Sequence, residues 1–224
     1  MNIKIIRWLF VALVAALSVF ALLYDIPTIG ESAEWRNGHY YFAGGTTPWA
    51  IALALLVIVL YLSLLYASPA AIDKPLPGVF RRFVAFWIDF MIAMTAIGPI
   101  VGVLPVITEW KRTGVFAWNF ARTTPARGDT LQAGIGLLCC SVVLVFYFAL
   151  PLVRRRPSPG CCVLGYQVVF EEGKTPSLGA AILRTLLGFL AVCAAYLAPF
   201  VGRDRKKGKF WLDKIFGTQA VKLA

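Results

Sequence analysis

Four stretches of this 224-residue chain are long, apolar and almost free of charge, and they restrict it to a fold built across a membrane. Residues 48–67 and 131–152 carry no charge; residues 83–107 carry only Asp89, and residues 178–201 carry only Arg184. A fifth apolar run, 8–23, follows Lys4 and Arg7. A spanning helix needs about 20 predominantly apolar residues, so each run qualifies or nearly so. The composition agrees, with 59% hydrophobic and 15% charged residues. The expected fold is an all-α membrane protein: a bundle of four to five hydrophobic helices, with the lipid bilayer as its first partner.

The net charge of +11 fits basic cytoplasmic loops and not nucleic acid, for which no binding motif is present. Cys139-Cys140, Cys161-Cys162 and Cys193 contain no C-x-x-C spacing, and His39 is the single histidine. Neither a metal centre nor a cofactor is expected. No Ser/His or Cys/His pattern suggests an enzyme. The first run looks like a signal peptide but lacks a small-x-small site before Asp25, so it reads as an uncleaved span with a cytoplasmic N-terminus.

Between the runs, Asn37-Gly38 stands between two β-prone flanks, Glu34–Arg36 and His39–Phe42, and predicts a hairpin, because both turn residues tolerate positive φ. Trp35, Tyr40, Tyr41 and Trp49 are expected at the membrane interface. A Pro-rich connection, 68–82, separates an N-terminal two-helix hairpin (1–67) from a second domain (78–223). Residues 163–170 and 217–223 read as short strands on the cytoplasmic side, and Ser177 as the N-cap of the last apolar helix.

Basic residues fix the expected orientation. If residues 178–201 cross fully, seven basic residues of the tail lie outside with the five of the two outer loops, against nine inside. If that segment enters and returns, the tail stays inside. A re-entrant or interfacial last helix is therefore preferred to a fifth crossing, and it also leaves the two short strands on one side.

An ionised acid within a span costs about 3 kcal/mol or more, which makes Asp89 the first candidate site. Arg82 lies seven residues earlier on the same helix face, but its side chain leans toward the N-terminus and the headgroups. Arg184 lies at a matching depth, so an Asp89–Arg184 contact is expected. That contact is either an ion pair locking two helices or a titratable, ion-binding carboxylate tuned by the arginine.

These residues carry a resemblance. Phe80-Arg-Arg-Phe-Val-Ala-Phe-Trp-Ile-Asp89 resembles the opening helix of the RDD family of bacterial membrane proteins. Ser158-Pro-Gly160, Leu164-Gly-Tyr-Gln-Val-Val169, Ser177–Arg184 and Trp211-Leu-Asp-Lys-Ile-Phe-Gly-Thr218 are similar to its later motifs, in order. The resemblance implies that the family's arginine and two aspartates correspond to Arg82 (or Arg81), Asp89 and Asp213. Two departures stand out: Cys161-Cys162 where members often have basic residues, and Trp211 at the usual histidine. The resemblance implies a multi-pass inner-membrane protein for which transport, including cation/proton exchange, has been suggested. Asp89 and Arg184 would then form the ion or proton site of a homo-oligomeric transporter of unknown substrate. The alternative is a non-transporting accessory or assembly protein, in which Asp213 is a cap or ion-pair partner.

Overall fold

A computed structural model describes residues 3–23, 30–36, 39–67, 72–73, 79–126, 128–170, 177–195 and 211–223. In chain order the elements are α1 (Ile3–Leu23), β1 (Gly30–Arg36), β2 (His39–Gly45), α2 (Pro48–Tyr66), β3 (Ile72–Asp73), α3 (Val79–Thr113), β4 (Asn119–Arg122), α4 (Asp129–Val153), α5 (Pro159–Val163), β5 (Tyr166–Phe170), α6 (Leu178–Ala195), α7 (Trp211–Phe216) and β6 (Thr218–Leu223). Among the described residues, Pro48–Tyr66, Phe80–Thr113 and Asp129–Val153 are long and apolar enough to cross a membrane. The protein is thus an all-α membrane protein with small β pairings. Most of the basic tail (Arg203 to Lys209) lies outside the described residues, as does the Pro-rich link expected at 68–82, except for Ile72–Asp73 and the start of α3.

The chain forms two compact units. The first contains residues 1–14, 60–90 and 145–224, and the second residues 15–59 and 91–144. Between lipid-facing helices water offers no hydrophobic driving force, so small residues that let backbones approach are favoured. In the first unit Ala149 and Ala181, both fully buried, join α4 to α6 with Leu152. Ala85 of α3 packs with Cys161, Tyr166 and Ala220. Phe86 lies between Phe148 of α4 and Phe189 of α6, with ring centroids 5.5 and 5.7 Å away.

The expected tail pairing is present in this unit. β5 and β6 are antiparallel, from Tyr166 opposite Lys222 to Phe170 opposite Thr218, and β3 extends the sheet on the other edge of β6. The strand begins at Tyr166 and not at Val163, because Pro159–Val163 form one short helix. The pairing of β5 with β6 agrees with the expectation that these two short strands meet, while residues 196–210 of the path between them lie outside the described residues. Ser177 caps α6, its Oγ accepting from the Ala180 amide at 3.1 Å.

In the second unit β1 and β2 pair from Gly30–Gly45 to Arg36–His39, which leaves the two-residue connection that Asn37-Gly38 predicts. β4 adds to the far edge of β2. A Cβ on Gly44 would stand 2.7 Å from the Pro105 Cβ, so only glycine lets β2 lie on this buried proline of α3. Tyr40, expected at the membrane interface, is buried instead, and its hydroxyl donates to Asp129 at 3.0 Å. Arg122 also pairs with Asp129, and its guanidinium lies 4.8 Å from the Phe42 ring centroid. Tyr41 and Trp49 are exposed, as interfacial aromatics should be, while the Trp35 side chain lies outside the described residues.

Candidate functional site

Among the described residues, the first unit contains two buried carboxylates with opposite kinds of partner. Asp89 projects from α3 and accepts hydrogen bonds from three neutral donors. The Tyr147 hydroxyl reaches Oδ1 at 3.1 Å, the Gly160 amide reaches Oδ1 at 2.7 Å, and the Ser158 hydroxyl reaches Oδ2 at 2.6 Å. Local sequence explains two of these donors. Ser158 is the N-cap of α5, with extended backbone, and Pro159 at the first helical position has no amide to leave unsatisfied. The first free amide is therefore Gly160, and it points at Asp89. A Cβ at residue 160 would collide with the Ala85 carbonyl oxygen and come within 2.9 Å of the Asp89 carboxylate. Glycine is what allows α5 to meet α3 end-on.

Tyr147 is placed by a second backbone feature. Pro151 lies inside α4 and has no N–H, so the Tyr147 carbonyl loses its helical donor. The Tyr61 hydroxyl of α2 supplies the missing bond at 2.7 Å, and the two phenol rings stack at 4.7 Å. Tyr61, Tyr147 and Asp89 thus form a continuous polar contact through α2, α4 and α3.

Asp213, in the first turn of α7, is fully buried and ionically held. Arg82 pairs with its Oδ2, and Arg184 donates to its Oδ1 at 3.0 Å. Thr218 donates to the same Oδ1 at 2.9 Å and accepts from Arg184 Nε at 3.2 Å. Burial alone would raise the Asp213 carboxyl, but the Arg82 and Arg184 guanidiniums outweigh it and hold the group below the usual carboxylate range. At neutral pH Asp213 is an anion joining α3, α6, α7 and β6.

The expected Asp89–Arg184 contact is thereby corrected. Arg184 spends its charge on Asp213, with Nη2 on that carboxylate and Nε on the Thr218 hydroxyl, and Asp89 meets neutral groups. Matching depth and opposite charge allowed the pairing, but a second carboxylate with a hydroxyl beside it offers Arg184 a better fit. Arg82 is half-buried in the Asp213 cluster. Of the two arginines considered for the family position, Arg82 is the one that meets Asp213, while Arg81 donates to the Leu164 carbonyl. Of the three positions implied by the resemblance, two converge and Asp89 stands apart from them.

Sequence reasoning missed Tyr61, Tyr147, Ser158 and Gly160 as partners of the acid. Two signals pointed to them: Ser-Pro-Gly is a helix-start pattern, and Pro151 marks the Tyr147 carbonyl as an orphan. Cys161 and Cys162 are buried beside this site. Burial, helped by the nearby Asp89, pushes the Cys161 thiol up to about 12, and burial pushes Cys162 up to about 12 as well. Both behave as small apolar groups. Among the described residues no His, Cys, Asp and Glu group has metal-ligand spacing.

No curated protein and no solved structure matches the chain. The family comparison does match, over residues 76–217, and it spans Arg82, Asp89, the Ser158–Gly160 turn and Asp213. This chain belongs to the RDD family.

Proposed function

We propose that this RDD protein is a small, non-enzymatic transporter of the bacterial inner membrane that exchanges a cation against protons, with Asp89 as the proton-binding group. The observation that supports this reading is the neutral company of Asp89. Two of its three donors are hydroxyls, which can rotate and accept when the carboxyl carries a proton. The site can therefore satisfy both protonation states, whereas a carboxylate clamped by two guanidiniums cannot release its charge cheaply. In this reading Arg184 and Arg82 hold the frame through Asp213 and do not tune Asp89 by contact. Pro99 and Pro105 deprive the Thr95 and Val101 carbonyls of α3 of their helical amide donors, a feature of helices that line polar paths. In this reading the transporter is a homo-oligomer with the N-terminus in the cytoplasm, and its substrate cation is unassigned.

The experiment is cation-driven proton movement in vesicles containing the purified protein and a trapped pH dye. The reading requires the wild type to dissipate a pH gradient when sodium or potassium is added outside, in excess of protein-free vesicles. Equal traces with and without protein would remove it. A second reading, a non-transporting accessory protein, is favoured by one observation: both oxygens of Asp89 are already occupied by the chain's own donors.

A further inference from the structure

We infer that Arg7 and Arg81 form a binding site for the phosphate of an anionic phospholipid headgroup. They come from different helices, α1 and α3, and converge on successive carbonyls at the end of α5. Arg7 Nε donates to the Val163 carbonyl at 3.2 Å, and Arg81 donates to the Leu164 carbonyl. The turn that presents these carbonyls closes at Gly165, whose φ is +68°. A Cβ there would stand 3.4–3.5 Å from the Arg7 guanidinium, which therefore lies directly against the turn.

Two exposed guanidiniums are thus anchored to the carbonyls of successive residues, and each keeps N–H donors beyond the one engaged there. Two like charges gathered at one turn favour a shared anion. Among the described side chains of this unit the carboxylates are Asp89 and Asp213, and both are buried with other partners. Paired guanidinium forks match phosphate geometry. The neighbouring side chains point to a lipid and not to a free anion: Trp8 is 70% exposed and Phe80 is 78% exposed, beside Arg7 and Arg81 in sequence. Arg81 also stands at the start of a membrane-spanning segment, where headgroups lie.

The test is native mass spectrometry of the full-length protein released from micelles with equal phosphatidylglycerol and phosphatidylcholine. The wild type should retain phosphatidylglycerol about 25-fold over phosphatidylcholine, with about fivefold contributed by each arginine. Arg7→Gln with Arg81→Gln should bring the ratio close to one, and excess inorganic phosphate should leave the wild-type ratio unchanged. Equal retention by the wild type, an unchanged ratio in the double variant, or displacement by inorganic phosphate would each overturn the assignment. If the double variant does not fold, Arg7→Gln alone decides: a drop of about fivefold supports the site, and an unchanged ratio removes it.

Discussion

The Tyr61 hydroxyl donates to the Tyr147 main-chain carbonyl at 2.7 Å, replacing the helical bond that Pro151 cannot make. One proline in α4 has thereby fixed a side chain in α2. Tyr147 then presents its own hydroxyl to Asp89. The polar centre of the first unit is thus assembled from neutral groups, each needed by another.

This arrangement predicts a coupled pair. Tyr61→Phe strands the Tyr147 carbonyl and should cost about 1 kcal/mol in thermal unfolding of the detergent-solubilised protein. In a Pro151→Ala background residue 151 regains an amide, and the same Tyr61→Phe change should cost close to nothing. Equal costs in both backgrounds would show that the hydroxyl does not serve that carbonyl.

Gly160→Ala should destabilise the protein by about 1–3 kcal/mol, because the new methyl group meets the Ala85 carbonyl and the Asp89 carboxylate. Gly134, which has open space around its Cβ position, provides the control. Its alanine variant should unfold at or above the wild-type temperature, since alanine favours helix by about 1 kcal/mol.

Asp213 makes a pH prediction whose sign follows from its depressed carboxyl. The stabilisation is complete above the unfolded value of about 3.9 and is lost as pH falls through the folded value. Melting temperatures of the wild type should therefore fall below about pH 4 by more than those of Asp213→Asn. At neutral pH Asp213→Asn should cost about 2–3 kcal/mol, because it leaves two half-buried guanidiniums without their anion.

Arg155 occupies the left-handed region, with φ 54°, at the end of α4. The Arg156 amide donates to the Pro151 carbonyl and the Arg155 amide to the Leu152 carbonyl, the two bonds of a Schellman turn that glycine usually closes. Arg155→Gly should raise stability by about 1 kcal/mol, since the Gln167 bond to residue 155 uses only its carbonyl. A lower melting temperature would mean that the arginine side chain contributes more than its backbone costs.

Much of this fold is legible in local sequence. Asn37-Gly38 set the hairpin register, Ser177 announced its helix, and the two short strands of the second half pair as their sequences suggest. Charge pairing was less legible. Asp89, Asp213, Arg82 and Arg184 allow several assignments, and depth along a helix cannot choose among them. The choice depends on where α7 meets α3 and α6, a tertiary fact with no local signal. The neutral donors were hidden for a different reason: tyrosines in apolar helices read as packing until a proline four residues on is noticed.

In the proposed function the two acids have separate roles: Asp213 holds the frame, and Asp89 would carry the proton. Asp89→Asn keeps an acceptor and similar volume, and Ser158 can turn its hydroxyl to accept from the new amide. The direct measurement is cation-driven proton flux in vesicles for Asp89→Asn, with melting temperature recorded on the same preparation. The account predicts a protein that melts close to the wild type and moves no protons. A variant that retains wild-type flux would contradict it.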